Sequence, residues 1–580
     1  MALCSEATAI MDLEKPKHKQ ADQRCAAWVK RAETLKNDRQ PWDTQWQEIA
    51  NFCLPGKANI LNWTLYPNSS RETQLFTTTP HDAVITCAAG LLAWSTAPNE
   101  RWGAWTPIRA LQNEDAVVRW TADCSEELQT QLALSNFYAE RHECLLNFTA
   151  FNTAAIYVTL SQAGRLLFKT LKTGSYVIAN NSEGKVDTIY IETMMTARQM
   201  EQEFGAENLP ETVAKCLEGE AKDQDKNFTV LHGIMPRPRK DRYEGKGAAP
   251  ASKKAFIDVY FEKESKCVLR EGGHDKFPVF CARWSNWETN EGTSVWGYGP
   301  GFSSLPECRQ LNFIRKMMDV GMEKAVFPPI MAPDTWEGEL DVSARGVNYY
   351  AMNQGGEDKV YPLNLIGDLR AGEAIAEIRK KAIEDKFHVG FFQMFAQADP
   401  KETATLTNAK MQDRLTQISP AFARLSSEMD NPMVEYLFEL MMENGMLPLP
   451  PEQAIFEDAK GEATTPTPIL SWTSRFALKV KALQNVALEA SMGMVLEMAK
   501  IDPSALDGIN IPIASRNYLL NNGVPVGWTR SEEEVQERAQ ARAEAQAQAM
   551  QMQMAEQASK AAANVGKAAP GLQEIMGQAA

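Results

Sequence analysis

The chain has 580 residues, of which 60 are Lys or Arg and 75 are Asp or Glu, so its formal net charge is −15. Hydrophobic residues make up 44% and charged residues 23%, which excludes an intrinsically disordered chain and is typical of a protein that buries its own core. The acidic balance excludes a globally basic nucleic-acid binder. At about 150 residues per domain, the length predicts roughly four domains.

The ten cysteines all lie between Cys4 and Cys308, with no C-x-x-C pair and no paired Cys/His spacing. This pattern predicts reduced, buried thiols and neither a zinc site nor a disulfide framework. The N-terminus lacks the apolar core of a signal peptide, and no apolar stretch approaches the length of a transmembrane helix. We therefore expect no membrane insertion.

The first 300 residues change from a helical to a strand-like pattern. Apolar spacing predicts helices at 22–38, 41–54, 80–96, 114–133 and 135–152, with Pro41 starting the second and Ser135 capping the last. Short β-branched or aromatic runs then predict strands at 155–160, 165–170, 175–180, 186–192, 228–235, 255–262, 266–270 and 277–284. A short helix from Thr196 to Gly205 is expected to interrupt them.

After residue 302 the pattern is mainly helical again. It predicts helices at about 302–326, 368–388 and 404–444, separated first by a compact Gly-rich segment and then by a loop at 390–404 whose phenylalanines look exposed. Pro420 and Pro432 are expected to kink the last helix. LPLPP at 447–451 precedes a smaller C-terminal unit. A capping box at Ser531–Glu534 begins an Ala/Gln-rich tail that is expected to be helical or disordered and to depend on partners for order.

No motif indicates an enzyme. Each Gly-Lys pair is followed by Ala, Val or Gly, so no phosphate-binding loop is present. The run Gly297–Gly301 resembles a dinucleotide loop only superficially, because Pro300 breaks the pattern. His232 is more typical of a satisfied strand histidine than of a metal ligand, and no cofactor is expected. The basic clusters at 237–240 and 379–381 are typical of solvated faces, with a phosphate-facing role as the alternative.

The order of several short motifs resembles one protein family. The quoted pieces are Arg39-x-x-Trp42-x-x-x-Trp46, Leu54-Pro55, Ala88-Ala89-Gly90-Leu91, Arg101-Trp102, Ser135-Asn136-Phe137-Tyr138, Gly174-Ser175-Tyr176, Met195-Thr196-Ala197-Arg198-Gln199, Pro236-Arg237, Arg283-Trp284, Trp296-Gly297-Tyr298-Gly299-Pro300 and Thr403-Ala404-Thr405. Over about residues 25–545, the chain is similar to the portal, or head-to-tail connector, proteins of short-tailed (podovirus-type) bacteriophages.

The resemblance implies an α+β, mainly α, portal fold with wing, stem, clip and crown, assembled as a ring around a central channel. The implied domains are the wing at 1–301, stem helix 1 at 302–326, the clip at 327–366, stem helix 2 at 367–389, the tunnel loop at 390–404, a long wing helix at 405–446, the crown at 447–530 and the C-terminal tail at 531–580.

The implied function is a dodecameric ring at one capsid vertex, assembled in the host cytoplasm, through which double-stranded DNA is packaged and ejected. The implied partners are a terminase motor, tail adaptor and tail proteins, and the major capsid and scaffolding proteins. In a mostly acidic channel, a few rings of cations would centre the duplex without holding it.

Under this hypothesis the DNA-channel candidates are Arg379, Lys380, Lys381 and Lys386, and the tunnel-loop candidates are Phe391, Phe392, Gln393 and Phe395. The alternative for the phenylalanines is packing between neighbouring subunits. Alternatives for the whole chain are another virion or scaffold-type assembly protein, or an intracellular nucleic-acid-processing enzyme.

Overall fold

The computed structural model describes residues 22–61, 75–111, 114–161, 163–219, 221–243, 249–289, 292–326, 330–331, 361–362, 369–393, 404–457, 463–479, 491–495, 497–498, 500, 515, 518–519 and 532–576. The chain divides into two compact units. The first unit combines residues 1–100 with 129–444, and the second combines residues 101–128 with 445–580.

The first unit begins with one long helix where the sequence predicts two. Helix α1 (Gln23–Cys53) contains Pro41 in its interior, so the predicted break at this residue is wrong. Buried hydrogen bonds hold the helix on both sides of the proline. Arg39 Nη1 donates to the carbonyl of Tyr176 at 2.5 Å, and Trp46 Nε1 donates to the carbonyl of Phe151 at 3.2 Å. These tertiary contacts offset the backbone hydrogen bond that a proline removes.

The next helices follow the predicted pattern closely. They are α2 (Thr79–Ser95), α3 (Asp115–Leu134), which starts in the second unit, and α4 (Phe137–Phe151). The N-cap residue of α4 is Asn136 instead of the predicted Ser135, although Ser135 Oγ accepts a hydrogen bond from the Phe137 amide at 3.1 Å. Asn152 ends α4 in the left-handed conformation, with φ 59°.

In the described residues of the first unit, antiparallel strands form two sheets of three and five strands besides two short pairs, and all the predicted strands are present with small changes at their ends. Their bounds are β2 (Thr153–Leu160), β3 (Leu166–Thr170), β4 (Tyr176–Asn180), β5 (Val186–Thr196), β6 (Asn227–Pro236), β7 (Phe256–Glu262), β8 (Val268–His274) and β9 (Val279–Arg283). The strand orders are β3-β2-β9 and β4-β5-β6-β7-β8. One core cluster packs Cys25, Val29 and Ala32 of α1 against Tyr190, Val259 and Phe261 of the larger sheet.

The helix predicted at Thr196 is confirmed as α5 (Ala197–Phe204). Thr196 and Gln199 form a capping box, and Gly205 follows the helix with φ 79°. Helices α6 (Glu211–Glu218) and α7 (Ala221–Gln224) then lead back to the sheet.

The remainder of the first unit is a hairpin and a series of helices. The hairpin consists of β10 (Ser285–Thr289) and β11 (Gly292–Tyr298). The helices are α8 (Pro300–Val326), α9 (Leu369–Lys386), α10 (Val389–Phe392), α11 (Ala404–Leu425) and α12 (Asn431–Glu443). Between α8 and α9 the structure describes a short antiparallel pair, β12 (Ile330–Met331) with β13 (Tyr361–Pro362).

The second unit joins an early part of the chain to a late part. Strand β1 (Gly103–Thr106) pairs with β16 (Ile469–Trp472), and Trp102 stacks on Trp472 with ring centroids 5.7 Å apart. The pair β14 (Phe456–Glu457) and β15 (Ala463–Thr464) and the long helix α13 (Glu532–Met576) also belong to this unit. The helical tail is thus confirmed, whereas Ser531 of its predicted capping box lies outside the described residues.

Cysteine burial agrees with the sequence. Nine cysteines are described, all as free thiols, and only Cys216 among them is not buried. Burial raises the pKa of both Cys87 and Cys144 to about 12, which keeps these thiols protonated and unreactive. In the described part of the chain, no helix is long and apolar enough to cross a membrane.

Candidate functional site

The candidate site is the pair formed by α8 and α9, here called the stem hairpin, together with the start of the loop that follows it. The hairpin is anchored at the first turn of α8. A Cβ at Gly301 would lie 1.7 Å from the carbonyl oxygen of Ala150, and one at Gly297 would lie 2.3 Å from that of Asn152. The glycines in this run therefore allow close backbone packing at the end of α4. This accounts for a motif that resembles a dinucleotide loop in sequence only.

Ion pairs fix the register of the two stem helices. Arg315 on α8 lies 2.8 Å from Glu373 and 3.5 Å from Glu377 on α9. Further along the pair, Arg379 of α9 lies 2.9 Å from Glu307 of α8. Positions near 307 on α8 are therefore level with positions near 379 on α9, and positions near 315 are level with those near 375.

The structure separates the four cationic channel candidates into two kinds. Arg379 is paired with Glu307, and Lys386 donates to the carbonyl of Ser303 at 2.7 Å while lying 3.9 Å from Glu307. Both side chains therefore hold α9 against α8. Lys380 lies 3.9 Å from Glu377 on its own helix. Lys381 is exposed and forms no ion pair within the described residues.

The predicted exposure of the tunnel-loop phenylalanines is wrong for Phe391. This side chain is 3% exposed and packs against Trp94 of α2, with ring centroids 4.9 Å apart. Phe392 is half-buried, and its ring packs directly on Gly90, since a Cβ added at Gly90 would lie 2.1 Å from the ring. Gln393 ends α10, whereas Phe395 lies outside the described residues.

Backbone geometry explains why these rings turn inward. His388 has φ 54°, in the left-handed region, and its ring stacks on Trp284 with centroids 6.3 Å apart. The reversal of the chain at His388 places the short helix α10 against α2. Arg414 of α11 donates to the carbonyl of Gly390, so α11 is held against α10.

A π-helical turn at Ser426–Asp430 separates α11 from α12. The long helical pattern thus continues through Pro420 as predicted, but the irregularity lies immediately before Pro432 instead of at it. Two ion pairs hold this turn. Arg141 of α4 lies 2.7 Å from Asp430, and Arg283 of β9 lies 3.0 Å from Glu428. Sequence reasoning missed both pairs; the acidic residues in an otherwise apolar helical stripe were the available signal.

A second buried polar group lies on the five-stranded sheet. Asp258 of β7 accepts hydrogen bonds from Nε2 of His232 on β6 at 2.7 Å and from Nε2 of His274 on β8 at 3.0 Å. This geometry confirms His232 as a hydrogen-bonded strand histidine. Burial opposes the charged form of Asp258, yet the hydrogen bonds from both imidazoles hold its pKa below the ordinary range. Among the described residues, no group of three His, Cys, Asp or Glu side chains is placed to hold a metal ion.

Comparison with known proteins adds the decisive observation. The family profile described as "Bacteriophage head to tail connecting protein" matches residues 26–528. The chain belongs to this family. It is 27% identical over 482 residues to the "Probable portal protein" of Bordetella phage BPP-1, covering 82% of this chain and 83% of the relative. It is 26% identical over 515 residues to the "Portal protein" of Salmonella phage epsilon15, covering 88% of this chain and 89% of the relative.

Proposed function

We propose that this chain is the portal subunit of a short-tailed bacteriophage. Twelve copies would form a ring at one vertex of the capsid, with a central channel for packaging and ejecting double-stranded DNA. The observation that carries the proposal is the anchored stem hairpin, in a chain that matches the connector family from residue 26 to 528.

In this proposal the domains are those that the resemblance implies. Helices α8 and α9 are the stem, the segment between them is the clip, and residues 390–404 are the tunnel loop. Residues 1–301, with a helical N-terminal part and a β-rich part, form the wing together with the helices α11 and α12. The second unit contains the crown, and its strand β16 pairs with β1 from residues 103–106.

The acidic composition fits passage of DNA without tight binding. Each subunit has a formal charge of −15, and the intrachain ion pairs of Arg379 and Lys386 reduce the free positive charge on α9 further. A duplex carries one phosphate charge per about 1.7 Å, so an uncompensated basic channel would retain it. Of the four channel candidates, Lys381 is the exposed one without an ion pair in the described residues, so it remains for a weak ring of positive charge.

The portal role makes the protein a structural conduit and not an enzyme. The energy for packaging would come from a separate terminase motor, which agrees with the absence of a phosphate-binding loop in the sequence. The other proposed partners are the tail adaptor and tail proteins, and the major capsid and scaffolding proteins. Assembly would take place in the host cytoplasm, and the final location would be the virion.

Electron microscopy and native mass spectrometry of the purified protein test the proposal. From 64.6-kDa subunits, a twelve-membered closed ring of about 775 kDa with a central hole is expected. A scaffold-type assembly protein would give particles without a closed ring. A nucleic-acid-processing enzyme would modify DNA in the absence of any motor protein. Either result, with no ring formed, would contradict the portal function.

A further inference from the structure

The stem hairpin exposes large apolar side chains on both of its helices. On α8, Phe313 is 61% exposed and Met317 is 43% exposed. On α9, Ile378 is 64% exposed and Ile375 is 47% exposed. Side chains of this size are costly to leave in water, and both pairs are exposed in the described part of the chain.

The two exposed faces lie on opposite sides of the hairpin. Arg315 and Met318 point from α8 towards α9, since Arg315 pairs with Glu373 and a Cβ at Gly372 would lie 3.5 Å from Met318. Phe313 lies about 200° around α8 from Arg315, because each residue turns an α-helix by about 100°. In the same way, Ile378 lies about 200° around α9 from the fully buried Ala376.

The two faces are also level with each other along the helices. The ion pair between Arg379 and Glu307 and the contacts of Arg315 with Glu373 and Glu377 place Phe313 level with about residue 375, within one turn of Ile378. Met317 is then level with about Ala371, two turns before Ile378. In a ring whose axis runs along these helices, rotation from one subunit to the next preserves this height.

Shape and charge make the two faces complementary. The α8 face presents the bulky side chains of Phe313 and Met317, whereas the α9 face places the small, exposed Ala371 and Ala374 beside Ile378. Exposed Lys316 borders the α8 face, and exposed Glu377, which also pairs with Arg315 and Lys380 of its own subunit, borders the α9 face. By helical geometry these two charges lie on the same side of the hairpin and within about one turn of each other in height.

We propose that the α8 face of one subunit packs directly on the α9 face of the next, with Phe313 against Ile378, so that these side chains form the stem interface of the ring. The partner is a second copy of this chain, and the inference rests on the proposed portal function. Since the two faces differ, the contact is heterologous, and repeating it gives a ring where the rotation closes, not a two-fold dimer.

Cysteine cross-linking of the full-length chain tests this contact. The background replaces Cys4, which lies outside the described residues, and Cys216, which is not buried, with serine. The variant combining Phe313→Cys with Ile378→Cys should give, under mild oxidation, a ladder of covalent multimers that ends at the closed ring. A mixture of the two single-cysteine variants should stop at dimers, because each subunit then carries only one half of the contact.

Two control variants make the readout specific. The first control combines Phe313→Cys with Glu264→Cys, at an exposed position on the turn before β8. This variant should give no ladder of multimers. Phe313→Asp should reduce ring formation at least tenfold, whereas Leu134→Asp, at a side chain that is 64% exposed against 61% for Phe313, should leave it within twofold. Circular dichroism checks that both aspartate variants are folded.

The outcomes distinguish this inference from the portal function. Rings that form without a ladder overturn the inference alone. Efficient dimerisation of Phe313→Cys by itself also overturns it, because the α8 face would then pair with its own copy. If neither rings nor cross-links form, the inference fails together with the proposed ring.

Discussion

Arg141 of α4 and Asp430 of the π-helical turn form a buried ion pair, with Nη2 and Oδ1 2.7 Å apart and both side chains at most 3% exposed. Burial raises the pKa of Asp430 in spite of the attraction of Arg141. The carboxylate therefore depends on this guanidinium to remain charged. The pair also fixes the point at which α11 passes into α12.

Arg141→Met should destabilise the first unit by about 3–5 kcal/mol, because it leaves the Asp430 carboxylate buried without its partner. The midpoint of urea unfolding, followed by circular dichroism, measures the effect. The double variant Arg141→Met with Asp430→Leu should recover most of the loss, since an apolar pair has no charge to desolvate. A single variant with an unchanged midpoint would show that the pair does not stabilise the turn.

Gly90→Ala should destabilise the protein by about 1–3 kcal/mol, since the new methyl group would lie 2.1 Å from the Phe392 ring. The matched control is Gly56→Ala, where no atom lies within 4 Å of the added Cβ. Urea midpoints of the two variants give the comparison. In a Phe392→Ala background the effect of Gly90→Ala should disappear. If Gly90→Ala still lowered the urea midpoint in that background, contact with the Phe392 ring would not be the cause of the destabilisation.

Asp258 should make the stability of the protein sensitive to acid. Its pKa is lowered in the folded state, so its contribution is fully present above the unfolded value of about 4. The contribution is lost as pH falls below 4 towards the folded pKa. The stability difference between the unmodified protein and Asp258→Asn should therefore shrink by up to about 1.4 kcal/mol per pH unit below pH 4.

Urea midpoints of both proteins between pH 5 and pH 3 test this expectation. Asp241→Asn, at an exposed carboxylate, is the control and should show no such convergence. A difference that stays constant or widens over this range would contradict the assigned role of His232 and His274.

Arg379→Gln and Lys381→Gln should affect different properties. Arg379 is paired with Glu307 at 2.9 Å, so its loss should lower stability by about 1 kcal/mol. Lys381 is exposed without an ion pair in the described residues, so its replacement should change stability by no more than about 0.5 kcal/mol. Retention of packaged DNA, measured in particles, should fall for Lys381→Gln. Unchanged retention would remove Lys381 from the channel candidates.

Local sequence signals predicted the elements well where local interactions determine them. The capping box at Thr196 and Gln199 marks α5 in both sequence and structure, and the β-branched runs correspond to strands. The continuation of α1 through Pro41 was not predictable, because the hydrogen bonds that support it come from Arg39 and Trp46 to distant parts of the chain.

The candidate site was predictable as a set of positions but not as a set of contacts. The basic cluster at 379–381 is visible in sequence, yet the partner of Arg379 is Glu307 on another helix, and no short-range pattern links them. Phe391 has no sequence signal for burial, since its position depends on the left-handed backbone at His388. The motif order identified the family because many weak matches in one order are more specific than any one of them.

The pairing of β1 with β16 has a consequence for synthesis of the chain. Thr106 donates its hydroxyl to the carbonyl of Ile469, 363 residues later. At about 5–20 residues per second on the ribosome, β1 waits roughly 20–70 s for its partner strand. The whole of residues 129–444 emerges during that interval, so the first unit can fold around its own core before the second can close. Until then the edge of β1 is unpaired. Chaperones protect such edges, and two nascent chains translated from the same mRNA can pair through them incorrectly.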